Sequence, residues 1–334
     1  GHNMVEEVLV TARFNAKVDP SLTIWSWEIA VYLFLGGLTA GIMCFAAWSL
    51  LAEKDKELPF AHNRLALWAP IVLSVGMTTL FLDLEHKLYV FRFYTSFQPA
   101  SPMSWGAWIL VLVYPLMVLQ VFSTLRRGYP VLAGWTEKIP FGTRLLEFCE
   151  RWRRPIAWWV IPLAVGLGIY TGVLLSALSA RPFWNSGVLG PLFLVSGLST
   201  ASALAIVGAR QAGEKHFFAR TDLTLIGVEL MLIALFLINL STGTEQQLAA
   251  VHMVMGGTYT VPFWVWFVLP GLLVPLVLEA FELRGIRGFA MIAPVLVLYG
   301  GFMLRYLTVE LGQLSSWTAY GIQFDPQLLL RLKP

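Results

Sequence analysis

Glu28 and Tyr32 stand four residues apart at the head of a long apolar run. On a helix that spacing puts a carboxylate and a phenol on one face. Asp83 and His86 close a second apolar run, Arg181 follows a fourth, and Arg305 and Glu310 lie toward the end of the last. Ionisable groups inside a bilayer are costly and are read first as functional. A carboxylate, a phenol and an imidazole at one depth can hydrogen-bond both carbonyls of a quinone and exchange two protons with it. The competing reading is an ion-pair lattice, Asp83 to Arg305 or Arg181, that fixes helix ends. Glu229 stands apart, inside a run and nearer the opposite face. It is either a step of a proton path or a carboxyl bonded to a neighbouring helix.

Other chemistries find no support. The five histidines are His2, His62, His86, His216 and His252, and none falls in the middle of an apolar run, so a bis-histidine haem is not expected. Cys44 and Cys149 are too few for an iron–sulfur cluster or a disulfide framework. No metal site is therefore expected. A phosphate loop and a dinucleotide glycine fingerprint are both missing. The net charge of +3 is too small to point to nucleic acid.

The elements that must position these groups follow from composition. The chain has 334 residues, of which 57% are hydrophobic and 13% charged. A soluble domain carries roughly twice that share of charge, about 25%. Crossing hydrocarbon takes roughly 20 apolar residues in a helix, whose backbone groups are satisfied internally. Eight spans are predicted: 24–52, 65–86, 104–125, 155–178, 188–209, 222–242, 260–281 and 288–311. The sequence is thus expected to be an all-α integral membrane protein. Its first long apolar run follows a charged lead, unlike a cleavable signal peptide. The loops after spans one, three, five and seven hold fifteen Lys and Arg, and the remaining extramembrane segments hold seven. The positive-inside rule makes the first set cytoplasmic. Residues 1–23 and 312–334 then lie outside as an N-terminal lead and a C-terminal tail. Between them, 24–125 holds three spans, 126–154 forms a basic cytoplasmic loop, 155–178 is the fourth span, and 188–311 holds the other four. The basic loop, with Arg151-Trp152-Arg153-Arg154, is expected on the anionic inner surface of the lipid membrane.

Phe34-Leu35-Gly36-Gly37-Leu38-Thr39-Ala40 in span one has an echo in span five, Leu194-Val195-Ser196-Gly197-Leu198-Ser199-Thr200. A parallel duplication of four helices plus four accounts for it, and so does the recurrence of small residues at membrane helix contacts.

Four strings carry a more specific likeness: Tyr32-Leu33-Phe34-Leu35-Gly36-Gly37, Ser101-Pro102-Met103-Ser104-Trp105-Gly106, Ala180-Arg181-Pro182-Phe183-Trp184-Asn185-Ser186, and the span-five echo. With them the chain resembles the NrfD/polysulfide reductase membrane-subunit family over nearly all eight spans. The resemblance implies two four-helix bundles in a bacterial inner membrane, with both termini periplasmic. It implies a subunit that binds quinone or quinol, menaquinone or ubiquinone, and holds no haem or iron–sulfur cluster itself. The expected partners are a ferredoxin-like iron–sulfur subunit and, beyond it, a molybdopterin catalytic subunit or a multihaem cytochrome. Glu28, Tyr32, Asp83 and His86 are the expected acid–base set, with Arg181 and Arg305 completing the quinone pocket. Arg92, Phe97, Ser101, Pro102, Trp105, Arg181, Phe183, Trp184 and Asn185 are the expected docking surface, where the alternative is an aromatic interfacial belt. A proton-translocating module and a passive anchor are the rival functions.

Overall fold

The structure is a computed structural model that describes residues 27–86, 102–177, 187–243, 245–285 and 291–323. Side chains are described in these except at 80–86, 102–108, 173–177, 245–247, 249–250 and 312–323. Regular structure among the described residues is entirely helical. The helices are α1 (Trp27–Leu51), α2 (Pro59–Asn63), α3 (Trp68–His86), α4 (Pro102–Gly128), α5 (Pro130–Glu137), α6 (Gly142–Arg151), α7 (Arg153–Ala177), α8 (Leu189–Gly208), α9 (Ala212–Ser241), α10 (Glu245–Val254), α11 (Val274–Leu283) and α12 (Ile292–Gln323). A π-helix, Pro262–Leu273, runs directly into α11.

Seven of these segments are long and apolar enough to cross a bilayer: α1, the Ile109–Gly128 part of α4, α7 from Arg153 to Gly172, α8, α9, the π-helix with α11, and α12 from Ile292 to Leu311. The chain is a multi-pass membrane protein. The second predicted span falls on α3; over the residues whose side chains are described, the apolar helix there runs Leu65–Thr79. Two helices extend well past the predicted limits. α9 begins ten residues before 222, carrying Glu214, Lys215 and Arg220 as continuous helix, and α12 continues to Gln323.

Small residues bring the central helices together. α1 packs on α3, α7, α8 and α12, and α8 packs on α7, α9 and α12. The α1–α8 crossing joins the two echo strings at the glycine they share. A methyl on Gly197 would strike the Gly37 carbonyl, and one on Gly41 would strike the Gly197 carbonyl. Lipid offers no hydrophobic drive for helices to associate, so backbone approach of this kind supplies the packing. Gly271 of the π-helix and Gly300 of α12 make a second such crossing. The Tyr299 hydroxyl of α12 donates to the Trp266 carbonyl of the π-helix at 2.7 Å.

The loop expected on the inner surface is itself structured. α5 and α6 turn back toward α4, and Arg126 ties the elbow together through Glu137 at 3.1 Å and Glu150 at 3.3 Å. α2 is anchored differently. The Phe60 and Ala61 N–H groups donate to the Glu214 carboxylate of α9 at 3.2 and 2.9 Å. A buried acid thereby satisfies the open N–H groups of a short helix and holds it against α9.

Candidate functional site

The structure separates the ionisable residues into two groups with different surroundings. The first lies at the start of α1. Glu28 is in its first turn and Tyr32 is one turn on, with the phenol buried. Glu28 is only partly covered, yet its Oε2 is buried without a hydrogen-bond partner among the described residues. An acceptor so placed is available to a ligand hydroxyl. α3, which carries Asp83 and His86 at its end, packs along α1. The Asp83 and His86 side chains lie outside the described set, as do those of Pro102 and Trp105. Arg92, Phe97, Ser101, Arg181, Phe183, Trp184 and Asn185 lie wholly outside the described residues.

The second group is built around Arg305. It lies in the second half of the apolar stretch Ile292–Leu311 of α12 and is completely buried. Its Nε donates to the Leu33 carbonyl at 3.1 Å. Nη1 donates to Ser196 Oγ and to the Gly301 carbonyl, both at 2.8 Å, and Nη2 to the Phe193 carbonyl at 3.1 Å. The guanidinium also stacks over the Phe193 ring, 5.2 Å from its centroid. A methyl on Gly37 would occupy the position of the guanidinium, so the second glycine of the span-one string makes the room for it. Arg305 thus joins α1, α8 and α12, and reaches α1 at the residue next to Tyr32. A planar donor fork suits this task, because each N–H points at a different acceptor.

From Arg305 a line of buried polar groups runs along α8 and α9. Glu229 lies beside Ser196 and within Coulombic reach of Arg305 and Asp222. Ser199 donates a hydrogen bond to Asp222 Oδ1, and Glu279 of α11 faces the same carboxylate. All five of these side chains are buried. Ser196 and Ser199 are three apart on α8, and Asp222 and Glu229 seven apart on α9, so each pair points the same way. The acids occupy the inward stripe of α9, Glu214, Phe218, Asp222, Ile226, Glu229 and Ile233, on a helix whose other residues are mostly half-buried or exposed. Sequence reading identified Glu229 alone. Asp222 and Glu279 sit at the margins of the predicted spans, where charge is unremarkable. The signal for Asp222 was its seven-residue spacing from Glu229 along one helix face; Glu279, on another helix, had none.

Beyond Arg305 on α12, Tyr306 donates to Glu310 Oε1 at 3.0 Å. Tyr259, in the turn before the π-helix, lies near both; burial and then the Glu310 charge push its phenol above the usual value of 10. Among the described residues no three His, Cys, Asp or Glu side chains are grouped as a metal would require.

A family described as "Polysulphide reductase, NrfD" matches residues 16–316. The chain belongs to the NrfD family. It is 29% identical to Protein NrfD of Escherichia coli over 306 residues, covering 87% of this chain and 96% of that one. A Protein NrfD homolog of Haemophilus influenzae is 28% identical over 308 residues, 87% and 95% of the two proteins. The polysulfide reductase C chain of Wolinella succinogenes is 28% identical over 306 residues, 87% and 94%. Two of the four strings that carry the family likeness, the span-one string and its span-five echo, meet at the Gly37–Gly197 crossing.

Proposed function

We propose that this NrfD-family protein is the quinone-reactive membrane subunit of a reductase complex. The observation that carries the reading is the buried Oε2 of Glu28, without a hydrogen-bond partner among the described residues, one turn from the Tyr32 phenol at the mouth of α1. The relative named as the C chain of polysulfide reductase supports membership of such a complex. Bound quinol supplies two electrons and two protons. Glu28 accepts a hydrogen bond and then a proton from its hydroxyl, and Tyr32 orients the ring. Asp83 and His86, at the end of the adjoining α3, carry protons between the pocket and water, and Arg181 closes its outer side. Arg305 serves this pocket indirectly, by fixing the α1 backbone beside Tyr32. Electrons pass to or from a ferredoxin-like iron–sulfur subunit docked outside on Arg92, Phe97, Ser101, Pro102, Trp105, Phe183, Trp184 and Asn185. A molybdopterin subunit or multihaem cytochrome completes the series of carriers. In this reading the helices form two bundles of four in the inner membrane, with both termini periplasmic. The test is quinol-driven reduction of the partner's clusters in assembled complexes carrying Glu28→Gln or Asp83→Asn. Parental rates in both would remove these residues from the mechanism.

A second function, proton translocation, is favoured by the buried line Arg305, Ser196, Glu229, Asp222, Ser199 and Glu279. Uncharged packing would have built the helix contacts without it, since buried charge is expensive. In this role Glu229 and Asp222 relay protons between the Arg305 level and Glu279. Proton uptake by sealed vesicles at fixed electron flux measures it. Glu229→Gln would abolish uptake beyond the quinone's own protons, and undiminished uptake would reject the relay.

A further inference from the structure

Asp222 of α9 and Glu279 of α11 meet where those two helices pack, their carboxyl groups within hydrogen-bonding reach of one another. Both residues are at most 2% exposed. The Ser199 hydroxyl of α8 donates to Asp222 Oδ1. As two anions the carboxyls have nothing to give each other. Asp222 Oδ2 and both Glu279 oxygens are then buried with no donor among the described residues. Nor does any Lys, Arg or His among the described residues form an ion pair with either. The other ionisable neighbours are acids, Glu229 further along α9 and Glu282 further along α11.

Two carboxylates in contact, out of water and without a cation, cannot both stay ionised at tolerable cost. One proton resolves the conflict. Glu279 then donates its O–H to Asp222 Oδ2 while Ser199 donates to Oδ1, so Asp222 is an anion served at both oxygens. Glu279 is the member that carries the hydrogen, because two donors stabilise the charged form of Asp222. The second oxygen of Glu279 still lacks a donor, and it faces the shorter way to water. Glu279 lies four residues before the end of α11 at Leu283. Glu282, three residues on, is half-buried and shares its side of the helix, and Arg284 and Gly285 beyond are exposed.

We propose that Asp222 and Glu279 are a proton-binding site that holds one exchangeable proton between them, and that this site is the loading end of the buried line that leads to Glu229. Protons arrive from water by way of Glu282. The shared proton follows from the contact of the two carboxyls, whereas the loading role rests on the proton-translocation reading.

Infrared difference spectroscopy of the full-length protein in detergent reads the shared proton directly, as the C=O stretch of a protonated carboxyl that moves when water is exchanged for heavy water. Glu279→Gln is isosteric and its amide N–H can donate to Asp222, so the variant should melt with the parent and lose one such band. In Asp222→Asn the same band should leave its parental position, since its acceptor has changed. A spectrum in which Glu279→Gln removes no band, or in which Asp222→Asn moves none, overturns the shared proton. So does loss of the band when sodium replaces choline at constant pH, which would make the pair a site for a metal cation. In sealed vesicles carrying the assembled complex, at fixed electron flux, Glu279→Gln should also lose uptake beyond the quinone's own protons. Uptake lost in Glu229→Gln but kept in Glu279→Gln overturns the loading role. Uptake kept in both is the failure of the translocation reading, and the infrared band then decides the shared proton by itself.

Discussion

The mouth of α1 and the buried line on α9 both place acids where a membrane helix would ordinarily carry none, but only the line has a cation bound into it. Among the described residues Glu28 Oε2, Asp222 Oδ2 and both Glu279 carboxylate oxygens are buried without a hydrogen-bond partner. Arg305, at the head of the buried line, distributes four hydrogen bonds among three helices. A group committed to its neighbours holds the fold, and a group left short of a partner is available to something that arrives. On the proposed reading the contrast gives Arg305 a structural role and Glu28, at the helix mouth, the ligand chemistry.

Substitutions can break that contrast, and their expected effects fall in a definite order. Arg305→Met should cost the most, about 3–5 kcal/mol, because it strips Glu229 of its cation and leaves the carbonyls of Leu33, Phe193 and Gly301 without this donor. Thermal unfolding in detergent measures it, and a melting point within a degree of the parent would make Arg305 ornamental. Glu28→Gln should do the reverse. Quinol oxidation by the assembled complex falls roughly a hundredfold, the lower end of what a positioned acid or base supplies, while the melting point holds. A loss of stability with activity intact would exchange the roles of the two regions. Gly197→Ala comes third, at about 1–3 kcal/mol, since its methyl must push back the Gly37 carbonyl. It sharpens the comparison, because the crossing it disturbs lies between the Arg305 acceptors Leu33 and Ser196. Glu214→Gln is the smallest, about 1 kcal/mol, seen as a modest fall in melting point, because the amide oxygen still accepts from one of Phe60 and Ala61.

Much of this is readable in the residues alone. Period and apolarity locate the helices, because only closed hydrogen-bonding satisfies a backbone in hydrocarbon. The Gly36-Gly37 string is legible as a helix contact, and its repetition around Gly197 proves to mark a place where the two strings touch. The commitment of Arg305 is not legible, because the carbonyls of Leu33 and Phe193 that it bonds belong to other helices, which residue order alone does not bring to it. Asp222 and Glu279 escape for a related reason. An acid at the edge of an apolar window resembles a solvated helix end unless the orientation of its helix is known, and that orientation is a tertiary property. The Glu28–Tyr32 pair is visible because both residues lie on one helix, one turn apart.

The wide turns of the Pro262–Leu273 segment have a consequence for Glu279. A π-helix carries more residues per turn than the α-helix it joins. If one such turn tightened to ordinary winding, the surplus residue would pass along the backbone and swing everything after it by about 100°. Glu279, on α11 immediately beyond, would rotate off Asp222 without any change in α9. The bearing of this carboxyl is therefore set by the gauge of the coil that precedes it, much as a screw thread sets the angle of whatever is mounted on its end.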